Sequence, residues 1–210
     1  MLSVGIFSTG KTGSLLALAF AAVALGQNLS PAQSAPAQTP SAGAPSPPAA
    51  SAPPKIDDQA SFIVVGVTVR TNNAAEASQE GKIPQLWQGV MQNGTLEQIP
   101  NKAGDALVVV YSGYASDHTG DYDYTLGYKV TSADKVPQGM VARTIPAGKY
   151  AVLNSAEGPP QEVIPALWQH INSMTPEQLG GARAYQADFE TYDQVTNWND
   201  MQMAVHIGLK

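Results

Sequence analysis

The sequence predicts an α+β domain made of two copies of one β-α-β-β unit. The copies are related by a pseudo-twofold axis, with an antiparallel-rich sheet and two main helices around a central cleft. Three observations predict it. Ile83-Pro84-Gln85-Leu86-Trp87-Gln88 returns as Ile164-Pro165-Ala166-Leu167-Trp168-Gln169, and an internal repeat fixes architecture before any single element does. Strand-like runs flank both copies at matching places. Helical patterns are too few to separate the strands of a parallel, doubly wound sheet.

The elements follow in order. Phe62–Thr71 is rich in Val and Ile and reads as a strand. Ile83, Leu86, Trp87, Val90 and Met91 then recur at helical spacing. Ala106–Tyr114 and Tyr122–Val130 are strands bounded by Gly and Asp. The second copy opens with the strand Gly148–Asn154. A helix carrying Ile164, Leu167, Trp168 and Ile171 comes next, then the strands Ala184–Tyr192 and Met201–Leu209. In both copies Pro is expected near a helix start, where its missing N–H is harmless. Six main strands and two helices result, and the seam between the halves is a natural ligand cleft.

The start of the chain is of another kind. Lys11 precedes an uncharged apolar run, Thr12 to Gly26. It is too short to span a bilayer, which takes about twenty residues, and it suits the h-region of a secretory signal. Ala24 and Gly26 place small residues at −3 and −1 of a cleavage before Gln27. Residues 1–26 are therefore expected to be a signal peptide that directs the protein to a periplasmic or extracellular location. Membrane attachment would come only through an uncleaved signal. The stretch Gly5-Ile6-Phe7-Ser8-Thr9-Gly10-Lys11-Thr12 matches a phosphate-binding loop. It lacks the preceding core strand that such a loop requires and is read as coincidence. Residues 27–57 follow as a Pro/Ala/Ser-rich linker with the composition of an extended spacer. Residues 58–210 form the domain.

Composition narrows the chemistry. No Cys is present, which excludes disulfides, thiolate nucleophiles and Cys-based metal sites. Formal net charge is −6, and all 17 acidic residues follow Ile56. Nucleic acid is then not expected as a partner, because backbone binding needs clustered Lys and Arg; a neutral or cationic ligand suits the field better. His118, beside Asp117 and Asp121, is read as part of a hairpin loop rather than a metal site. No cofactor is expected, although His170 on a helix could serve as an axial haem ligand.

The stretch Asp188-Phe189-Glu190-Thr191-Tyr192 carries the most chemical interest. In a strand, Asp188, Glu190 and Tyr192 share one face and Phe189 the other. The repeat sets Glu190 near Ser112, so the acid has no counterpart in the first half. Two readings stand: a solvated edge-strand acid, or an acid in an aromatic cleft that would hold a lipophilic cation by charge and ring-face attraction. Trp87, Trp168, Tyr111, Tyr124, Tyr150 and Tyr192 are the candidates for that cleft, with ordinary core packing as the alternative for the two tryptophans.

Taken together, the helix segment Ile83–Trp87 and five segments after it resemble the AraC-type effector-binding domain, also called the gyrase-inhibitor-like small-molecule-binding domain. The five are Val110-Tyr111-Ser112-Gly113-Tyr114, Gly120–Tyr128, Ile145–Val152, Trp168 with its helix, and Asp188–Tyr192, in that order. The resemblance implies a ligand cleft between the halves. It also implies that Glu190 reaches into the cleft toward cationic, amphipathic compounds, with Tyr111, Tyr150 and Trp168 as walls. It departs from the common context of such domains, since a signal and a spacer stand where a DNA-binding module is often found. An exported small-molecule-binding protein is the reading that results. The alternative is a small hydrolase of the same fold using Glu190 with Tyr150 or Tyr111 as its acid–base pair.

Overall fold

A computed structural model describes residues 53–193 and 195–210. The expected signal peptide, the phosphate-loop match and nearly all of the spacer lie outside the described residues. The described chain is strand already at Lys55, ahead of the boundary expected at 58.

Eight strands form one curled sheet: β1 (Lys55–Gln59), β2 (Phe62–Thr71), β3 (Lys102–Ser112), β4 (Tyr122–Val130), β5 (Val141–Ile145), β6 (Gly148–Asn154), β7 (Ala187–Tyr192) and β8 (Ala204–Gly208). Their order is β1-β6-β8-β7-β3-β4-β2-β5, and every neighbouring pair is antiparallel. Four α-helices accompany them: α1 (Asn73–Glu76), α2 (Ile83–Asn93), α3 (Pro160–Ser173) and α4 (Pro176–Leu179). The fold class is the expected one, α+β with two long helices on a duplicated, antiparallel sheet.

The unit is larger than the sequence suggested. Each half is β-β-α-β-β, because β1 and β5 add a leading strand that alternation did not reveal. The two are exchanged: β1 precedes β2 but pairs with β6, and β5 precedes β6 but pairs with β2. Lys-Ile-Asp-Asp-Gln in β1 has no apolar period because an edge strand buries little. The exchange ties the halves together at both margins of the sheet.

Gly66 and Gly127 face each other across β2 and β4, where the backbones approach closely. A Cβ on Gly127 would meet the Val65 carbonyl oxygen at 2.0 Å. Only glycine permits such an approach.

The core divides by strand parity. On the helix-bearing face, Leu86, Trp87 and Val90 of α2 and Val163, Ile164, Leu167 and Ile171 of α3 pack on Val65, Val109, Leu126, Leu153 and Val205. The opposite face closes on itself through Val64, Val108, Val110, Ile145, Tyr150, Ala187 and Phe189.

The repeated prolines differ in place. Pro84 sits in the first turn of α2, as expected, but Pro165 lies inside α3, whose own first residue is Pro160. The second helix has gained a turn ahead of the repeat, so Pro165 removes one intrahelical hydrogen bond instead of none. At the start of α2, Glu76 does the capping: its carboxylate accepts from Lys82 N at 2.9 Å and Ile83 N at 3.1 Å.

Candidate functional site

Glu190 lies at the centre of the sheet. Val67, Leu126, Val109, Glu190, Val205 and Leu153 stand side by side across six strands on the helix-bearing face. Five are aliphatic and one is a carboxylate, and Glu190 is only 1% exposed. The solvated edge-strand reading is thereby removed. The expected repeat alignment of Glu190 near Ser112 is also corrected: the offset of 81 that relates Ile83 to Ile164 sets Glu190 on Val109, which is its cross-strand partner as well. Ser112 lies three residues further along β3, paired with Ala187 on the opposite face.

Three neutral donors hold the carboxylate. Tyr111 Oη donates to Oε1 at 2.9 Å, Trp168 Nε1 to the same oxygen at 2.6 Å, and Tyr192 Oη to Oε2 at 2.7 Å. Among the described residues no cation pairs with it. Burial pushes the Glu190 pKa upward, while the hydrogen bonds from Trp168, Tyr192 and Tyr111 pull the other way without cancelling the rise. Burial, reinforced by the Glu190 charge, also drives the Tyr111, Tyr124 and Tyr192 hydroxyls well above the usual phenol range. They remain protonated donors at any physiological pH.

Above the acid lies a cavity of about 150 Å³. Tyr111, Tyr122 and Tyr124 wall it from the sheet. The helices close it with the repeat motif itself: Ile83 and Pro84 from one side, Ile164, Pro165 and Trp168 from the other. Aromatic contacts stiffen the wall, with the Tyr111 ring 4.8 Å from Trp168 and 5.2 Å from Tyr124, both edge-on. The cavity thus combines aromatic faces and edges with a buried carboxylate that has no cationic partner among the described residues.

The expected cleft residues sort into three groups. Glu190, Tyr111, Tyr124, Trp168 and Tyr192 come together at the cavity. Trp87 lies just behind it, 1% exposed, donating through Nε1 to Tyr124 Oη at 2.7 Å and meeting Tyr192 edge-on at 5.7 Å; it supports the wall without lining it. Tyr150 does not join them. Its strand parity sends it to the opposite face, against Phe189, with its hydroxyl on the Pro146 carbonyl at 3.0 Å. The proposed pairing of Glu190 with Tyr150 is therefore excluded by the sheet; of the two tyrosines offered as its acid–base partner, Tyr111 meets the acid. His118 lines the cavity mouth, its Nδ1 3.3 Å from Tyr185 Oη.

Sequence reasoning missed Arg183, Asn172 and Tyr114. Arg183 comes from the loop before β7 and forms a nearly enclosed ion pair with Asp188 at 2.7 Å, with side-chain exposures of 8% and 0%. Its guanidinium lies 5.5 Å from the Trp168 ring and 4.7 Å from that of Tyr185. A signal was present in the spacing: Asp188 shares the parity of Glu190, so a second buried acid on that face needed a cation.

Known proteins share the family and the fold of this chain. The chain is 30% identical over 130 residues to the Bacillus subtilis (strain 168) protein YobU, which is named as a transcriptional regulator; the match covers 61% of this chain and 79% of YobU. Its fold is shared with an integron cassette protein from the mobile metagenome of Vibrio cholerae, at 25% identity and TM-score 0.59, covering 74% of this chain and 95% of that one. It is also shared with SAV2435 bound to tetraphenylphosphonium, at 16% identity and TM-score 0.59, covering 75% and 93%. A regulator among the relatives leaves the expected absence of a nucleic-acid partner resting on charge alone. Residues 55–207, which hold all but the last residue of the duplicated sheet together with its buried acid, match the Cass2 family, and the chain belongs to these integron-associated effector-binding proteins.

Proposed function

We propose that this domain binds a small amphipathic cation in the cavity between its halves, with Glu190 as the counter-ion. One observation carries the reading: a carboxylate 1% exposed, held by three neutral donors and facing an aromatic cavity without a cationic partner among the described residues. A ligand cation would supply the missing charge in a low-dielectric setting, where such a pairing is worth most. The tetraphenylphosphonium bound by the structural neighbour SAV2435 is of the same chemical class.

The resemblance to AraC-type effector-binding domains favours the same ligand class. The apolar run Thr12–Gly26 and the acidic composition favour an exported protein that meets its ligand outside the cytoplasm and has no nucleic-acid partner. Sequencing the amino terminus of the protein recovered from the periplasm or medium tests the export; a chain beginning at Met1 in the cytosol would overturn it.

The catalytic alternative narrows to Glu190 with Tyr111. Tyr111, Trp168 and Tyr192 already occupy both oxygens of the carboxylate, so binding is the preferred reading.

Equilibrium binding of tetraphenylphosphonium and of neutral triphenylphosphine oxide tests the counter-ion. The native protein should favour the cation by about ten-fold or more, as expected for a charge-assisted contact. Glu190→Gln should abolish that preference. Equal weakening of both compounds would remove the counter-ion role.

A further inference from the structure

The cavity holds a second polar group, at Arg183. Its side chain is 8% exposed and lines the same space as Glu190. Its charge is already spent: Nη2 and Nε donate to Asp188 Oδ2 at 2.7 and 3.1 Å. The other Asp188 oxygen accepts from Gly208 N at 2.9 Å. Nη2 also reaches Tyr114 Oη at 3.5 Å, and Nη1 donates to Asn172 Oδ1 at 3.0 Å.

A guanidinium has five N–H donors. One on Nη1 has no partner among the described residues, and neither does the Asn172 Nδ2 group. Both residues line the cavity. Trp168 stands between the two polar ends. Its indole N–H serves Glu190, while its ring faces the guanidinium.

We propose that the cavity selects cations that also carry a neutral hydrogen-bond acceptor, a carbonyl or ether oxygen, which Arg183 and Asn172 receive while Glu190 takes the positive centre. A neutral oxygen suits this end better than a carboxylate does. Asp188 neutralises Arg183, and Glu190 and Glu76 both line the same cavity. The inference rests on the cation-binding reading and adds a selection rule to it.

The test uses the full chain and matched probes: pentyltriphenylphosphonium, its 4-carbamoylbutyl analogue and its 4-carboxybutyl analogue. The native protein should bind the carbamoyl compound about five-fold more tightly than the pentyl compound, the gain expected of one neutral hydrogen bond, and more tightly than the carboxylate. Asn172→Leu leaves the Arg183–Asp188 pair in place and should bring the carbamoyl-to-pentyl affinity ratio down to about one; Arg183→Gln also unpairs Asp188 and alters the affinity for both cations, so it is read from the same ratio, which should again fall to about one. Glu190→Gln should weaken the pentyl and carbamoyl compounds equally. Equal native affinity for those two probes, a preference that survives both Asn172→Leu and Arg183→Gln, or tightest binding of the carboxylate would overturn the acceptor rule and leave the cation reading standing. Failure of every probe to bind would overturn both.

Discussion

Val109 and Glu190 are cross-strand partners, and they are also the same position in the two copies of the repeat. Ile83 and Ile164 are 81 positions apart, and so are Val109 and Glu190. The pseudo-twofold axis therefore passes between this pair. The same offset relates Tyr111 to Tyr192, and these two donate to opposite oxygens of the one carboxylate. A symmetric pair of phenols thus surrounds an asymmetric charge. Trp87 and Trp168 are likewise equivalent, yet one serves Tyr124 and the other Glu190. Replacing one aliphatic side chain on the axis by an acid is enough to convert a duplicated core into a charged site.

Glu190 should cost stability at neutral pH. Its native pKa is raised above the ordinary 4.5, so the folded chain keeps a proton that the unfolded chain has released. Stability is then greatest below 4.5 and falls as pH rises through the raised value. Glu190→Gln should raise Tm at pH 7.5 by roughly 3–6 °C, corresponding to about 1–2 kcal/mol. The two proteins should converge near pH 4. Scanning calorimetry at both pH values checks the sign, and a variant less stable at pH 7.5 would contradict it.

The two repeat-equivalent tryptophans should behave differently. Trp168→Phe removes a hydrogen bond that favours the Glu190 carboxylate, so the pH at which cation binding sets in should move upward. Affinity at pH 7 should drop roughly ten-fold and recover in alkaline buffer. Trp87→Phe removes the donor to Tyr124 and should lower stability by about 1–3 kcal/mol with no shift in that profile. Titrating tetraphenylphosphonium binding from pH 5 to 9 separates them.

His206 should make the fold acid-sensitive. Burial depresses its pKa to about 4 against the pull of Asp57 and Asp193. Its Nδ1 is buried without a partner among the described residues, and its ring stacks on Phe189 at 4.2 Å. The unfolded chain takes up this proton through 6.5 and the folded chain resists until about 4. The contribution is therefore intact above 6.5 and lost as pH falls toward 4. His206→Phe should flatten the loss of stability over that window by an amount on the order of 2 kcal/mol, read from denaturant midpoints at pH 7 and pH 4.5.

Gly127→Ala should be among the most damaging single-methyl additions in the domain. Its Cβ would strike the Val65 carbonyl oxygen and the Gly66 Cα, both backbone atoms with nowhere to go. A loss of about 3 kcal/mol or more is expected, measurable as a lowered midpoint in urea. By contrast Gly104→Ala meets nothing within 4 Å and should leave that midpoint nearly unchanged.

The repeat, the helix-bearing halves and most strand ranges were legible because each is a local pattern. The Ile-Pro-x-Leu-Trp-Gln motif announces itself twice, and β2, β4 and β6 begin and end where alternation and turn residues say they should. The strands β1 and β5 were not legible. Each has five residues, and their partners lie in the other half of the chain, so nothing local marks them.

For the site, residue types gave the acid and its aromatic company, and parity alone gave the shared face of Asp188, Glu190 and Tyr192. Parity cannot say which face of the sheet the helices cover. That is why Tyr150 looked like a cleft residue and is instead packed beneath the sheet with Phe189. Nor can it show Arg183, which reaches Asp188 only because the loop before β7 folds back over that strand. The amino-acid sequence by itself determined a duplicated α+β frame and a single acid among aromatics. Tertiary structure decided that this acid sits on the pseudo-symmetry axis with three donors and no cation among the described residues, because pairing across the sheet, and not order along the chain, sets which side chains share a low-dielectric space.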